Sequence, residues 1–116
     1  MDKFIEKAFE ISNLMVTLGN QKRLLKEEYE QSLFYFYNGG TFKATKETIT
    51  YIKTLKDLDV ETDIVVVDEN GMPIRIDSIT NFLQELLNQH FQASNKYFSD
   101  YQKLKKSKSV ESILNV

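Results

Sequence analysis

Few residues of this chain have side chains that carry chemistry, and His90 is the first to consider. It is the only histidine among the 116 residues, and the chain contains no cysteine. A zinc site takes three or four ligands, usually histidine, cysteine or carboxylate side chains, and no such set is visible. Nothing in the sequence points to a Ser-His-Asp triad either. Because His90 falls on an apolar helical stripe, we interpret it as a core or interface residue with a hydrogen-bond partner.

Two polar segments resemble ligand loops at first sight. Asp68-Glu69-Asn70 offers oxygen atoms, but the spacing of a calcium loop is absent and turn formation explains the same residues. Asn38-Gly39-Gly40-Thr41 lacks the lysine of a phosphate loop and follows a predicted helix, whereas a phosphate loop follows a strand. The sequence therefore predicts no enzyme, no metal, no cofactor and no small-molecule substrate.

Lysines near the C-terminus form the densest charged cluster, which consists of Lys103, Lys105, Lys106 and Lys108. Such a cluster can follow a phosphate backbone, and the aromatic rings at positions 97, 98 and 101 could stack on bases. Lysines at a helix C-terminus also interact favourably with the helix dipole, and the aromatic residues are needed in the helical stripe. Both interpretations stay open, and the first makes single-stranded DNA or RNA a candidate ligand.

Two apolar segments are candidates for binding another protein. The run Leu33–Tyr37 is apolar on every side of a helix, as expected for a segment that is fully buried or contacts a partner. The tail places apolar residues behind a lysine-rich segment, where they either fold back or dock as a short helix in a partner's groove. The partner-binding candidates are Leu33, Phe34, Phe36, Val110, Ile113 and Leu114.

Two long amphipathic helices must position these residues. The first runs from Asp2 to about Tyr37. Gly19 could divide it into two helices, but the stripe keeps its phase across this residue, which favours one continuous helix. The last helix begins after a cap at Asp77 or Ser78 and runs to about Lys106. Apolar residues recur in alternating steps of three and four along both, which is typical of helices that pack side by side. In the first helix the stripe is Phe4, Ala8, Ile11, Met15, Leu18, Leu25, Tyr29 and Phe36. In the last it is Ile79, Leu83, Leu86, His90, Ala93, Tyr97, Tyr101 and Leu104.

Between the helices the pattern changes. Thr45 is a suitable N-cap for a short helix, and two β-branched runs flank Asp68–Gly71, which predicts a β-hairpin. The fold class is therefore mostly α (α+β), with two long helices packed as an antiparallel hairpin and a short helix and a β-hairpin inserted between them. We predict one helical domain at 1–106, its insert at about 39–77, and a tail at 107–116.

Composition limits the class of protein. The net charge is −2 and the hydrophobic fraction 41%, which disfavours wholesale disorder and a globally basic nucleic-acid binder. The N-terminus is not a signal peptide, and no stretch reaches the ~20 apolar residues of a membrane span, so we expect a cytoplasmic protein without membrane contact. Both stripes are broad for so short a chain, which predicts a homo-oligomer or a complex with another protein.

Parts of the sequence resemble small accessory proteins of T4-like tailed bacteriophages. The resemblance lies in Leu18-Gly19-Asn20-Gln21 with its heptad-spaced helix, in Gly39-Gly40-Thr41-Phe42, and in Asp68-Glu69-Asn70-Gly71-Met72-Pro73-Ile74. It covers roughly residues 14–108 and lies in the general composition and pattern of residues, without a diagnostic motif. The resemblance implies a phage-encoded protein in the host cytoplasm, or a virion component. From the broad helical stripes we expect the protein to be a non-enzymatic, oligomeric helical adaptor or structural protein; the alternative is a nucleic-acid-associated accessory protein that uses the lysine cluster.

Overall fold

The computed structural model describes the backbone of residues 2–107 and the side chains of residues 2–106. Helices make up 68% of the structure, which places it in the mostly helical class as predicted. Three helices and four strands follow one another along the chain: α1 (Asp2–Ser32), β1 (Phe34–Tyr37), β2 (Gly40–Lys43), α2 (Lys46–Asp57), β3 (Ile64–Val67), β4 (Pro73–Ile76) and α3 (Ile79–Ser107). The contacts divide the chain into two compact units, one of Met1–Tyr29 with Asn95–Val116 and one of Glu30–Ser94.

The first unit contains the N-terminal part of α1 and the C-terminal part of α3, which run antiparallel. The ring of Tyr29 stacks on that of Tyr97 with centroids 4.9 Å apart, and Lys22 lies 5.7 Å from the ring of Tyr101. Positions earlier in α1 thus meet positions later in α3, as in the predicted helical hairpin. Helix α1 continues through Gly19 without a break.

The α1 stripe is displaced from the prediction at several positions. Half-buried residues in α1 are Ile11, Leu14, Leu18, Gln21, Leu25, Tyr29 and Ser32. Phe4, Ala8 and Met15 of the predicted stripe are exposed instead, and Phe36 is not in the helix. The α3 stripe is confirmed, since each of its eight members is buried or half-buried.

The second unit holds two β-hairpins where the sequence predicted one. Leu33–Tyr37 was expected to continue the first helix, but α1 ends at Ser32 and Phe34–Tyr37 is strand β1, paired antiparallel with β2. Asn38 and Gly39 form the two-residue turn, and both have positive φ, which suits the right-handed twist of a tight hairpin. The second hairpin pairs β3 with β4, and Gly71 takes the positive φ that its turn requires.

Phe82 of α3 lies at the centre of the core of the second unit. Its ring contacts those of Tyr35, Tyr37 and Phe42, at centroid distances of 5.9, 5.3 and 5.0 Å. Alternate residues of a strand face the same side, so positions 35 and 37 both point at α3. Ile52 of α2 is fully buried in the same unit, and Thr45 caps α2 as predicted.

Candidate functional site

Three members of the lysine cluster, Lys103, Lys105 and Lys106, lie in the last turns of α3. Lys105 and Lys106 are exposed in the final turn of the helix, which suits their charge and the helix dipole. Lys103 is also exposed, and it makes an interaction of its own. Lys108 lies outside the described residues, and so do the tail candidates Val110, Ile113 and Leu114.

The aromatic side chains that precede these lysines belong to the helix packing. Tyr97 is stacked on Tyr29, and the ring of Tyr101 meets that of Tyr97 edge-on at 6.2 Å. Phe98 differs from them, because it is 67% exposed. Of the three rings offered as a stacking platform for bases, two are therefore already occupied within the first unit.

A polar group lies beside the stacked tyrosines. Lys96 of α3 donates to Glu28 of α1 at 2.9 Å and to Asp100 at 2.6 Å. These hydrogen bonds, first that of Asp100 and then that of Glu28, raise the pKa of Lys96 above its usual range. All three side chains reach solvent, so these ion pairs contribute little to the stability of the fold.

The aromatic partner-binding candidates lie in and beside β1. Leu33 is buried and belongs to the core, so it offers no surface to a partner. Phe34 is half-buried, with Lys43 5.7 Å from its ring, whereas Phe36 is 72% exposed. The three candidates therefore differ in exposure, and only Phe36 is largely exposed.

His90 and the 68–71 turn have structural roles. The Nδ1 atom of His90 lies 2.8 Å from the carbonyl oxygen of Ala44, which confirms the expected hydrogen-bond partner. One carboxylate oxygen of Asp68 accepts from the backbone N–H groups of Asn70 and Met72, and the other accepts from that of Thr41. Within residues 2–107, no group of three or more His, Cys, Asp or Glu side chains is placed to hold a metal ion.

A second carboxylate organises the start of α3. Glu61 accepts from the hydroxyls of Ser78 and Thr80 at 2.8 Å each, and its backbone carbonyl accepts from the N–H of Ile79. Ser78 caps the helix by accepting from the N–H of Asn81. The hydrogen bonds from Thr80 and then Ser78 lower the pKa of Glu61, and the N–H of Thr41 does the same for the pKa of Asp68.

We expect acid to weaken this fold through these two carboxylates. Both have a lower pKa in the folded protein than their ordinary values of 4.5 and 3.8, so the unfolded chain binds protons first. Their stabilisation is complete above the ordinary values and is lost as the pH falls through the lowered ones. Melting temperatures recorded by circular dichroism from about pH 7 down to about pH 3 should fall accordingly.

Asp68→Asn is the variant that isolates the turn. The asparagine amide would place an NH2 donor opposite a backbone N–H donor, so we expect a lower melting temperature at neutral pH. Because the amide does not titrate, the melting temperature should also depend less on pH in the acid range. Asp57→Asn is the matched control, because Asp57 makes only an exposed ion pair with Lys53. Equal melting curves for the two variants would contradict the structural role of Asp68.

The largest unexplained feature is an apolar face on the first half of α1. At 3.6 residues per turn, the five charged residues between positions 2 and 19 lie on one half of the helix, and the large, exposed apolar residues lie on the other. None of the described α1 residues is buried. We define the α1 apolar face by its five large, exposed side chains: Phe4, Ile5, Phe9, Met15 and Val16, with exposed fractions of 78, 48, 65, 61 and 61%.

None of the helices in residues 2–107 is long and apolar enough to cross a membrane. No family model, curated protein or solved structure matches the chain. Phe4 and Met15 were predicted to be members of the helix seam, but they lie on a separate, exposed surface. The signal was the second apolar line of Ile5, Phe9 and Val16 beside the predicted stripe, which makes the apolar side of α1 too wide for one helix contact.

Proposed function

We propose that this protein is a non-enzymatic, self-associating helical adaptor or structural protein. The observation that supports this proposal is the α1 apolar face. Five large apolar side chains on a single exposed helix side form a contiguous patch that monomeric proteins normally cover. Burial of such a patch provides the main driving force for association of protein chains.

A second copy of the chain is the partner that best fits the α1 apolar face. Two such helices crossing antiparallel at their centre would bring Phe4 near Val16 of the other copy and Ile5 near its Met15. The small residues Ala8 and Ser12 lie at the crossing point and allow close approach. One patch that matches itself in this way is what a two-fold symmetric dimer requires.

The charges around the face favour the same pairing. Asp2, Lys3, Glu6, Lys7 and Glu10 all lie on the opposite half of α1, so no charge is carried into the contact. The nucleic-acid alternative through Lys103, Lys105 and Lys106 has less support, because Tyr97 and Tyr101 are engaged in helix packing. This proposal is compatible with the resemblance to small accessory proteins of T4-like tailed bacteriophages.

The mass in solution tests this function. Light scattering should give at least twice the 13.6 kDa of the chain, because association buries the α1 apolar face. The double variant Phe4→Ser, Phe9→Ser should return the mass to 13.6 kDa without loss of helix content.

The control removes two phenylalanines from other exposed positions. Phe36→Ser with Phe98→Ser takes away side chains that are 72 and 67% exposed but lie off the α1 apolar face. This double variant should keep the mass of the unmodified protein. A single-chain mass for the unmodified protein, or dissociation of both double variants alike, would rule out self-association through this face.

A further inference from the structure

A groove opens on the second unit between α2 and the outer edge of β3. Its volume is about 540 Å3, within the range of peptide and ligand sites. One wall is the first half of α2, with Glu47 and Tyr51, and the other is the β3 segment from Val65 to Val67. All these residues belong to the same compact unit, so the groove has a defined geometry.

The backbone of β3 presents unpaired groups to its outer edge. In an antiparallel pair, residues that exchange hydrogen bonds alternate with residues whose N–H and C=O point away from the partner strand. Pro73 faces Val67 and has no N–H, so this pair does not exchange hydrogen bonds. In the next pair, the N–H of Asp68 donates to the carbonyl of Met72, so that pair is hydrogen-bonded. The bonded positions of β3 are therefore 64 and 66, and Val65 and Val67 direct their N–H and C=O outward.

The opposite strand supports this assignment. Arg75 faces Val65 in the register and should also point outward, and its carbonyl indeed accepts from the side chain of Asn38. Within the described residues, the outward backbone groups of Val65 and Val67 have no hydrogen-bond partner. Four backbone groups are thus available along one edge, two donors and two acceptors.

The same edge already donates one hydrogen bond to another strand. The N–H of Glu69, two positions after Val67 and on the same side, donates to the carbonyl of Thr41 in β2 at 2.9 Å. Strands β2 and β3 are not paired with each other, and Phe42 of β2 lines the groove beside Val65–Val67. An added strand would continue the pairing that Thr41 begins.

The side chains around the groove indicate what would occupy it. Tyr51, Val65 and Val67 are 52, 52 and 63% exposed, which gives apolar contact on both walls. Every charged residue that lines the groove is an acid, namely Glu47, Asp68 and Glu69. Asp68 is satisfied by backbone N–H groups, whereas neither Glu47 nor Glu69 makes an ion pair among the described residues.

We propose that this groove binds an extended peptide segment of another protein, one carrying lysine or arginine, which adds as a strand to the free edge of β3. Main-chain hydrogen bonds to Val65 and Val67 hold the peptide, and the acidic rim selects its basic side chain. The site is distinct from the α1 apolar face and adds a second type of partner to the proposed function.

Nuclear magnetic resonance of the full chain tests the proposal. The probes are blocked heptapeptides of alternating valine and threonine with one lysine placed at each position in turn, and matched peptides with glutamate in its place. We expect saturable shifts of the Val65 and Val67 amide signals with at least one lysine peptide, and at least tenfold weaker binding of its glutamate counterpart. Absence of saturable shifts with every lysine peptide, or equal binding of the glutamate set, overturns the proposal.

Two variants at position 65 distinguish strand addition from nonspecific peptide binding. Val65→Pro removes one outward N–H and leaves the β3–β4 hydrogen bonds in place, so it should reduce binding at least tenfold, whereas Val65→Thr keeps the N–H and should bind normally. If Val65→Pro does not fold, the double variant Glu47→Lys, Glu69→Lys tests whether peptides bind in this groove. It should prefer the glutamate peptides to the lysine peptides, because the charge of the rim is reversed. Equal binding by Val65→Pro and Val65→Thr, or an unchanged preference in the charge-reversed protein, overturns strand addition at this edge.

The self-association variant shows whether the two sites are independent. Phe4→Ser with Phe9→Ser changes only the α1 apolar face, so it should bind the lysine peptides as the unmodified protein does. Loss of peptide binding together with self-association would overturn the groove as a separate site. Failure of self-association alone would leave peptide binding at Val65 and Val67 intact.

Discussion

Replacement of Phe82 by alanine is expected to lower the free energy of unfolding by about 3–5 kcal/mol. Phe82 is 2% exposed and is among the largest fully enclosed side chains of the described residues. Its loss would leave a cavity between α3 and the hairpin of β1 and β2, whose Tyr35, Tyr37 and Phe42 rings contact it. A small domain is stable by only about 5–15 kcal/mol, so the variant should be close to unfolding at physiological temperature.

Urea denaturation followed by circular dichroism measures this change. Phe98→Ala is the matched control, because it makes the same replacement in the same helix at a residue that is 67% exposed. A surface change of this kind should stay within about 0.5 kcal/mol of the unmodified protein. Similar losses in the two variants would mean that Phe82 is not the centre of the core.

Gly40→Ala is expected to destabilise the protein by about 1–3 kcal/mol, even though alanine is a small residue. A Cβ atom at position 40 would lie 2.5 Å from Cγ1 and 2.9 Å from Cδ1 of Ile74. Ile74 is 6% exposed in β4, so its side chain has little room to move away. The two hairpins would have to separate slightly, and each contact between them would weaken.

Gly19→Ala provides a control with the opposite expected sign. A Cβ atom at position 19 meets nothing within 4 Å, and the residue lies inside α1. Alanine should stabilise the helix there by up to about 1 kcal/mol, because glycine is the poorer helix former. The two replacements are chemically identical, so denaturation midpoints that shift in the same direction would contradict the close contact at Gly40.

The helical periodicity was sufficient to predict much of the fold. The α3 stripe, the Thr45 cap and the hairpin around Gly71 follow from local rules, and the structure confirms each of them. The first hairpin was missed because Leu33–Tyr37 is apolar at every position, so neither a period of two nor one of 3.6 can be distinguished within it. Asn38-Gly39 between two such runs is a hairpin signal, and it was interpreted only as the end of a helix.

The proposed interaction surfaces were harder to predict. Local sequence shows that Phe4 and Met15 are apolar on a helix, but it does not show where the partner helix lies. The β3 groove depends on a contact between Thr41 and Glu69, which are far apart in the sequence. Short-range patterns carry no information on such a contact, so the free edge at Val65 and Val67 emerges only from the assembled second unit.

The open edge of β3 also has a consequence for solubility. Ile64–Val67 is a β-branched run of the kind that stacks into fibrils when its edge is unprotected. Here the strand has only four residues, and acids at Asp63 and Asp68 flank it, which are two common defences against uncontrolled stacking.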